Sequence, residues 1–476
     1  MRYTPIPLVG GFYADETRPW SVQDCLNWLP TQAETDGTRT PAILKTPPGL
    51  RQALKITEEG GNSPPVRGTY NCEGKFFAVV GTTLYQINND LTYVSRGTIP
   101  GVGRVQFAHN QLGLTVPGNQ IVIVNGSSGY VFDTTTNSFV QITDTGYPGG
   151  INAVFINGYI VQIEPGRRFA FPSAPANALD YNTLDQFTSE VAPDLLVSLA
   201  VTNNELILFS ETTTEFFQTV QATSQPFRSK QITLTRGCGG RFTVANMDNT
   251  VYFLGNDGIF YVLAGYSPQR ISTRPIEESI RGLNWDQAYA FVWESAGHKV
   301  CYWTFPDGTT WGWDVSAKIW HRRKSYGLNR WRPNSMTFWN GKWYAGDFQS
   351  GVIWEVDWDY MLEGDQEFES ERTTGILSDN QNTLLVNRIE LLMQVGQIET
   401  PSPTPDNYVR VQYSDDGGNN WSNWDQESIG SVGQYEVRPV FTRQGRTRHR
   451  VYRVRCSSPR KRDLIGGVIV VQGTVG

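Results

Sequence analysis

The chain has 476 residues, of which 18% are charged and 12% aromatic, with 47 glycines and 26 prolines. This composition favours strands and tight turns over long helices, and the length allows about two to four domains or one large all-β domain with additions. The net charge of −6 excludes a surface that binds nucleic acid over its whole extent, because phosphate binding requires a positive potential. A local basic patch is compatible with this charge.

The cysteines and the N-terminus indicate the compartment. Five widely spaced cysteines, with no CxxC pair and no nearby histidine cluster, indicate free thiols rather than disulfides or a zinc site. Free thiols are typical of a reducing compartment, so we expect folding in the cytoplasm. The N-terminus lacks a signal-peptide pattern and no window approaches the length of a membrane span, so no span is predicted.

Short apolar segments separated by turn dipeptides run from about residue 69 to 358. Asn-Gly or Asp-Gly pairs supply the positive φ angles of tight hairpins. In this region they occupy residues 125–126, 157–158, 257–258, 307–308 and 340–341. Strand-turn-strand segments recur about every 40 residues, the length of a four-stranded propeller blade. The pattern predicts an all-β fold with a β-propeller of six or seven blades over residues 69–358, with a pair of β-sandwiches as the alternative.

The remaining segments complete the predicted domain organisation. Residues 1–68, rich in proline and without strand periodicity, are predicted to form an extended N-terminal arm. A short helix is predicted at 272–283, where Pro275 suits the first turn. Residues 359–382 are acidic and poor in aliphatic residues, which indicates a linker or an exposed loop. Alternation resumes over residues 383–476 and predicts a small C-terminal domain like a β-sandwich.

The stretch SDDGGNNW (414–421) has the spacing of the Asp box found in sialidases and other carbohydrate-handling propellers. Its defining positions are Ser414, Asp416, Gly418 and Trp421. The aspartate can accept hydrogen bonds from turn amides, and glycine permits left-handed geometry. Sialidase-like enzymes usually carry several copies on blade hairpins, whereas one copy in the C-terminal domain predicts a structural turn. A carbohydrate-binding propeller or a sialidase-like glycosidase is the alternative, although no pair of carboxylates is evident.

The strongest charge signal is RPVFTRQGRTRHRVYRVRCSSPRKR (438–462), with ten Lys or Arg in twenty-five residues. Aligned on a strand pair, its arginines form a basic stripe for an acidic partner or a phosphate backbone. The alternative is an exposed edge strand whose arginine stems cover apolar neighbours. The candidate interface residues are Arg446, Arg448, Arg450, Arg453 and Arg455.

Other residues that carry chemistry indicate no site. The four histidines, at positions 109, 298, 321 and 449, are too scattered to indicate a triad or a metal motif. The glycines of TRGCGGRF (235–242) lack the strand-turn-helix context of a phosphate-binding loop. We predict no catalytic residue, no cofactor and no metal.

Stretches in three parts of the chain carry a resemblance to a known family. They are RPWSVQDCLNWLP (18–30) with TPAILKTPPGL (40–50), GNDGIFYVLAGYSPQRISTRPIEESI (255–280), and GRTRHRVYRVRCS (445–457). Together they resemble the tail accessory proteins of short-tailed bacteriophages, which are described as packaged-DNA stabilisation, tail hub or nozzle proteins. The resemblance spans nearly the whole chain and implies a structural role without catalysis.

The resemblance also implies a location and partners. It implies a protein of the virion tail, assembled in the cytoplasm of an infected bacterium, that forms a ring of its own copies, expected to be a hexamer, below the portal-adaptor ring. Such a ring extends the DNA channel, helps to retain packaged DNA without reading its sequence, and docks fibre, spike or needle proteins. We expect the N-terminal arm to pack across a neighbouring subunit or the adaptor, with Asn27, Trp28, Pro30 and Pro48 as its candidate docking residues. A receptor-binding tail protein is a further alternative.

Overall fold

The computed structural model describes residues 2–58, 60–110, 119–220, 222, 224–380, 382–403 and 405–473. The chain begins with six short strands: β1 (Arg2–Pro5), β2 (Tyr13–Ala14), β3 (Val22–Leu26), β4 (Leu29–Gln32), β5 (Ala42–Lys45) and β6 (Gly49–Lys55). The structure therefore corrects the prediction of an extended arm over residues 1–68. These strands are too short to show periodicity, and most of their partner strands lie hundreds of residues further along the chain.

Seven antiparallel blades of four strands each follow within the described residues. Blades 1 and 2 contain β7 (Val66–Cys72), β8 (Lys75–Val80), β9 (Thr83–Ile87), β10 (Tyr93–Thr98), β11 (Gln106–His109), β12 (Gln120–Val124), β13 (Gly129–Asp133) and β14 (Phe139–Gln141). Blades 3 and 4 contain β15 (Asn152–Ile156), β16 (Tyr159–Ile163), β17 (Ala170–Ala174), β18 (Asn177–Tyr181), β19 (Leu196–Thr202), β20 (Glu205–Ser210), β21 (Thr214–Thr219) and β22 (Phe227–Leu234). Blades 5 and 6 contain β23 (Ala245–Met247), β24 (Thr250–Leu254), β25 (Phe260–Ala264), β26 (Ser267–Arg270), β27 (Tyr289–Ser295), β28 (His298–Thr304), β29 (Thr310–Asp314) and β30 (Ile319–Arg323). Blade 7 contains β31 (Pro333–Trp339), β32 (Lys342–Asp347), β33 (Val352–Asp357) and, as its outermost strand, β6.

The propeller is closed by a strand from the N-terminal segment. β6 pairs antiparallel with β33, with Lys55 opposite Val352 and Gly49 opposite Asp357. The first strands of successive blades are neighbours around the ring, and β31 of the last blade lies next to β7 of the first. The predicted β-propeller is confirmed, and the ring has seven blades.

The inner strands of the blades bury both of their faces, which explains the apolar runs in the sequence, whereas outermost strands such as β10 and β26 are largely half-buried or exposed. In β8 the side chains of Phe76, Ala78 and Val80 pack toward blade 7, whereas those of Phe77 and Val79 pack toward blade 2. Successive side chains of a strand point to opposite faces, so one run supplies two adjoining cores. An apolar cluster lies between every neighbouring pair of blades in this way, with tryptophans concentrated around blades 6 and 7.

Short helices lie between some blades. The predicted helix near residues 272–283 is present as α1 (Arg274–Ser279), which lies between blades 5 and 6, with Pro275 in its first turn. Two 3₁₀ turns occupy Thr183–Asp185 and Trp285–Gln287. In the described part of the chain, no helix is long and apolar enough to span a membrane.

The C-terminal β-sandwich packs two sheets around one core, and the N-terminal strands belong to both sheets. Its own strands are β34 (Ser370–Thr373), β35 (Leu377–Ser378), β36 (Leu384–Met393), β37 (Tyr408–Ser414), β38 (Asp425–Ser428), β39 (Val440–Thr447), β40 (His449–Cys456) and β41 (Leu464–Gly473). One sheet runs β39-β36-β41-β5-β4, with β1 also paired to β41. The other runs β3-β34-β40-β37-β38 and continues into blade 6, because β3 also pairs with β30.

The predicted acidic linker over residues 359–382 is also more ordered than its composition indicates. It contributes β34 and β35 to the sandwich, and Met361, Leu362 and Phe368 are buried. Apolar side chains spaced singly between acidic residues produce no periodic signal, yet each has a core position in the structure. All five cysteines are buried and none forms a disulfide.

Candidate functional site at the junction of the two domains

The stretches singled out in the sequence meet at the junction of propeller and sandwich. A cleft of about 530 Å³ lies there. It is lined by Phe12 and Asp24 from the N-terminal segment, Glu278 from α1, and Trp421 and Arg453 from the sandwich. Residues 18–30, 255–280, 414–421 and 445–457 therefore each contribute to one region of the surface.

Asn27 joins the two domains through every polar atom it has. Its backbone has a φ of 50° and its side chain is buried. The side-chain amide donates to the carbonyls of Lys324 (2.8 Å) and Glu369 (2.7 Å), and its Oδ1 accepts from the Lys324 N–H at 3.0 Å. Its backbone N–H donates to Arg322 O (2.9 Å), and its carbonyl accepts from the Ser370 hydroxyl at 2.7 Å. Asn27 thus connects the backbone at the end of blade 6 to the backbone at the start of the sandwich.

The other three candidate arm residues are buried in the same subunit. Trp28 is fully buried in the sandwich core, and Pro30 is buried in β4. Pro48 is buried just before β6, where its carbonyl accepts from the Arg323 guanidinium at 3.5 Å. Because these side chains face the interior of their own chain, the structure corrects their interpretation as docking residues.

The predicted arginine stripe is divided into buried, paired and exposed parts. Arg450 is buried; it makes a bidentate pair with Asp415 (2.6 and 2.7 Å) and lies over the Tyr413 ring at 3.8 Å. Arg453 and Arg455 are partly buried on the opposite sheet face and both pair with Glu371, at 3.3 and 2.7 Å. These three arginines are therefore already bound within the chain.

Aromatic rings cover the same two partly buried guanidinium groups. Arg453 lies over the Trp421 ring at 3.8 Å, and Arg455 lies over the Trp424 ring at 4.5 Å. Burial lowers the pKa of Arg453 from its ordinary value, although the group stays cationic at neutral pH. Of the five candidate interface arginines, only Arg446 and Arg448, at the tip of the β39–β40 hairpin, have exposed side chains. The continuous basic stripe expected from the sequence is absent from this described region.

The Asp box forms a self-contained turn. Asp416 Oδ1 accepts from the backbone N–H groups of Asn419 (3.0 Å) and Asn420 (2.9 Å), and from the Ser414 hydroxyl at 2.7 Å. Gly418, with a φ of 86°, donates its N–H to Ser414 Oγ at 2.8 Å, and Trp421 donates its indole N–H to Gly418 O at 3.1 Å.

The hydrogen bonds of this turn stabilise the ionised form of the Asp416 carboxyl group and so oppose proton donation by it. Hydrogen bonds from the Asn420 backbone, then from the Ser414 and Asn420 side chains, lower the pKa of Asp416 to about 2. The carboxylate is therefore ionised at neutral pH and cannot serve as a general acid. The Ser414 hydroxyl, the Asp416 carboxylate, the Gly418 N–H and the Trp421 indole N–H all have partners inside the turn, which supports its interpretation as turn chemistry.

Buried arginines that sequence reasoning missed hold the junction together. Arg372 is fully buried and donates to the carbonyls of Leu8 (2.7 Å), Gly11 (2.7 Å) and Asp24 (3.0 Å). Arg462 is also fully buried and donates to Ser458 O at 2.6 Å and to Ser370 Oγ at 2.9 Å.

A guanidinium has five donors, so one buried arginine can satisfy several orphaned carbonyl groups of irregular backbone. No local pattern marks Arg372 or Arg462, because the partners of Arg372, and Ser370 as a partner of Arg462, come from distant parts of the chain. Their burial lowers the pKa of both groups.

His298 forms a second tie that the sequence did not indicate. Its Nδ1 lies 2.6 Å from Asp314 Oδ2 in blade 6, and its Nε2 lies 3.2 Å from the hydroxyl of Thr31 in β4. Asp314 is fully buried, and its other oxygen accepts from the backbone N–H of Ser316 at 2.9 Å. The histidines are indeed scattered in sequence, but this one links a sandwich strand to the propeller.

One aromatic side chain stands out on the surface beside the cleft. Trp20 is at the tip of the β2–β3 hairpin, 63% exposed, with its ring packed edge-on against Tyr13 at 5.7 Å. The hairpin is fixed to the Asp box, because Arg18 donates to Gly418 O at 3.0 Å. An exposed tryptophan on a rigid hairpin next to a charged cleft has the character of an interface anchor.

The fold and this junction define a two-domain class in which a seven-bladed propeller and a β-sandwich are joined by buried arginines and shared N-terminal strands. Models of the bacteriophage P22 Gp10 β-propeller and of the bacteriophage P22 Gp10 β-sandwich match residues 4–361 and 369–472 respectively. The chain therefore belongs to the bacteriophage P22 Gp10 family of tail accessory, DNA-stabilisation proteins. It has a structural role in a phage tail, and it is a virion tail component that assembles with other tail proteins.

Other comparisons add little about function. No curated protein matches the chain. Among solved structures, YCF48 from Cyanidioschyzon merolae is 8% identical with a TM-score of 0.43, covering 65% of this chain and 98% of its own. BamB from Moraxella catarrhalis is 12% identical with a TM-score of 0.37, covering 64% of this chain and 97% of its own. Similarity at this level carries no argument about activity.

Proposed function

We propose that copies of this chain form a ring, expected to be a hexamer, below the portal-adaptor ring of a short phage tail. The ring extends the DNA channel, helps to retain the packaged genome and docks fibre, spike or needle proteins, without catalysis. The observation that carries the proposal is that both domains, and not the propeller alone, match the bacteriophage P22 Gp10 models. The net charge of −6 supports it, because a conduit must let DNA pass rather than bind it tightly.

The docking surface that we propose is the junction cleft with Trp20. An N-terminal arm is not free to dock, since its strands are part of both domains. Arg446 and Arg448 supply a separate exposed basic tip, which suits a rim contact that steers an acidic partner. Arg450, Arg453 and Arg455 support this surface from within and do not contact the partner.

Depletion of the protein from assembling particles tests the role in the tail. Particles made without it are expected to assemble heads and package DNA, and then to lose nuclease-protected DNA on storage. Supplying the wild-type chain in trans is expected to restore retention. Full retention of DNA in particles shown by immunoblot to lack the chain would contradict the proposed role.

A variant at Trp20 tests the docking surface separately. Trp20→Ala is expected to weaken co-sedimentation with portal-adaptor complexes at least tenfold, because a buried aromatic anchor typically carries about 2 kcal/mol or more of binding energy. Leu184→Ala is the matched control, since Leu184 is 72% exposed in the 3₁₀ turn between blades 3 and 4 and does not line the junction cleft. Equal binding by both variants would place the adaptor contact elsewhere on the chain.

A glycan array distinguishes the alternative carbohydrate-binding function. Sugar-binding sites typically offer the face of a tryptophan, but the Trp421 ring is covered by the Arg453 guanidinium. We therefore expect no specific glycan binding by the isolated chain. Specific binding that Trp421→Ala removes would favour the alternative.

A further inference from the structure

One sheet of the sandwich has an open stretch along its edge. β1 covers β41 from Val468 to Val471, and β5 covers it only at Leu464. Between them, Ile465 and Gly466 have no strand partner on this side among the described residues. Ile6 reaches the edge of the gap with one hydrogen bond, from its N–H to Gly467 O at 2.9 Å. Over these two residues β41 is therefore paired only with β36, on its other side.

An apolar groove of about 670 Å³ lies over this gap, and we call it the β41 groove. Its walls come from the N-terminal segment around Leu8, from Ile319 of blade 6 and from Leu392 of β36. The floor is low at Gly466 because this position has no side chain. A groove of mainly apolar lining thus lies where β41 has no partner strand between β1 and β5.

Two arginines without carboxylate partners stand at the rim. Arg39 and Arg438 both line the groove, and both side chains are exposed. Neither is in an ion pair within the described residues. The one acidic residue of the lining, Glu390, is already paired with Arg388 at 2.7 Å. The rim is therefore positive, on a protein whose net charge is −6.

We propose that the β41 groove binds a short extended segment of a partner protein that carries apolar side chains flanked by carboxylates. The segment lies over the interruption at Ile465 and Gly466 without adding a strand, because β1 and β5 occupy the two ends of this two-residue gap. Its apolar side chains occupy the groove, and its carboxylates pair with Arg39 and Arg438. The inference does not depend on the ring proposed above, because it concerns binding by a single chain.

Gly466 allows the groove to be filled without disturbing the fold. A Cβ at this position meets only Thr40 Cγ2, at 3.6 Å, which is an ordinary contact. By contrast, a Cβ at Gly467 lies 2.7 Å from Leu8 Cδ1, so that position is unsuitable. Gly466→Leu therefore blocks the groove, and a melting temperature within about 2 °C of the wild type verifies that the variant is folded.

Fluorescence anisotropy of the full chain with labelled synthetic peptides tests the proposal. The probe is a fluorescein-labelled heptapeptide of alternating valine and glutamate, and the comparison peptide has lysine in place of glutamate. We expect saturable binding of the glutamate peptide and at least tenfold weaker binding of the lysine peptide. Gly466→Leu and the double variant Arg39→Glu/Arg438→Glu are each expected to weaken binding of the glutamate peptide at least tenfold.

The matched control for charge is Arg168→Glu/Arg228→Glu, which reverses two exposed arginines on blades 3 and 4 of the propeller. This control is expected to bind the glutamate peptide within threefold of the wild type. No saturation up to millimolar peptide, equal affinity for both peptides, or unchanged binding by both groove variants would each refute the proposal. Self-association of the wild-type chain that Gly466→Leu abolishes would assign the groove to a second copy and would likewise refute it.

Discussion

Replacement of Asn27 by alanine is the most direct test of how the two domains are joined. The change removes three side-chain hydrogen bonds and leaves the buried carbonyls of Lys324 and Glu369 without the amide donor. Each such bond contributes about 1 kcal/mol, and a buried group left unpaired costs somewhat more. The φ of 50° adds about 1 kcal/mol, because alanine tolerates this region less well than asparagine. We therefore expect Asn27→Ala to lower the free energy of unfolding by about 3 to 5 kcal/mol.

Glycine at the same position separates the two contributions. Asn27→Gly loses the same hydrogen bonds but has no steric cost at positive φ, so it is expected to be about 1 kcal/mol less harmful than alanine. The matched control is Asn137→Ala, since Asn137 has a φ of 58° and an exposed side chain. That control is expected to cost only the backbone contribution of about 1 kcal/mol.

Thermal unfolding followed by tryptophan fluorescence measures these differences. Unfolding entropies of about 2.1 cal/mol/K per residue imply close to 1 °C per kcal/mol for a chain of this length. Asn27→Ala is thus expected to melt about 3 to 5 °C below the wild type, and Asn137→Ala about 1 °C below. A loss for Asn27→Ala no larger than that for Asn137→Ala would refute the reasoning that this side chain joins the domains.

Three further substitutions address the arginines, the Asp box and a buried histidine. Arg450→Met is expected to lower the free energy of unfolding, measured by chemical denaturation, by about 2 kcal/mol, because it removes a buried bidentate pair while Asp415 can still be hydrated. The exposed substitution Arg448→Met is expected to change this free energy by no more than about 0.5 kcal/mol. Equal effects of the two substitutions would contradict the finding that Arg450 is buried. Asp416 has a folded pKa of about 2, below its unfolded value, so its stabilising effect is complete above the unfolded pKa and is lost as pH falls through the folded pKa. The difference in melting temperature between wild type and Asp416→Asn is therefore expected to shrink from pH 5 toward pH 3, and a constant difference would count against the turn. Burial lowers the pKa of His321 to about 3, so the free energy of unfolding is expected to decrease below about pH 6.5, by up to about 1.4 kcal/mol per pH unit. The decrease is expected to be smaller in His321→Gln. Parallel pH profiles of the wild type and this variant would contradict the reasoning.

The blades could be predicted from the sequence because their signals are local. Asn157 and Gly158 have φ angles of 48° and 89°, and Asn340 and Gly341 have 47° and 76°, as the tight turns require. Six of the seven blades form from four consecutive strands and blade 7 has three consecutive strands, so turn spacing alone indicated the repeat. The Asp box was equally local, since its hydrogen bonds span no more than four residues.

The junction could not be predicted because its contacts are remote in sequence. Asn27 bonds to Lys324 and Glu369, about three hundred residues away, and Arg372 bonds to Leu8 across 364 positions. An arginine that will be buried looks the same in sequence as one on the surface. The stretch around Arg450 therefore indicated a basic surface, whereas the hairpin turns that side chain inward to Asp415.

The division of the N-terminal strands between the domains has a consequence for the order of synthesis. A ribosome makes β1, β4 and β5 first, but β41, which pairs with both β1 and β5, is among the last segments to emerge. Throughout synthesis of the propeller the N-terminal segment, with Trp28 and Leu44 destined for the sandwich core, has no completed sheet to join. Exposed apolar strands of this kind are prone to association with other chains. Completion of the C-terminus is therefore the event that commits the molecule to its folded form, and a chain that stops short of β41 leaves both of its ends unfinished.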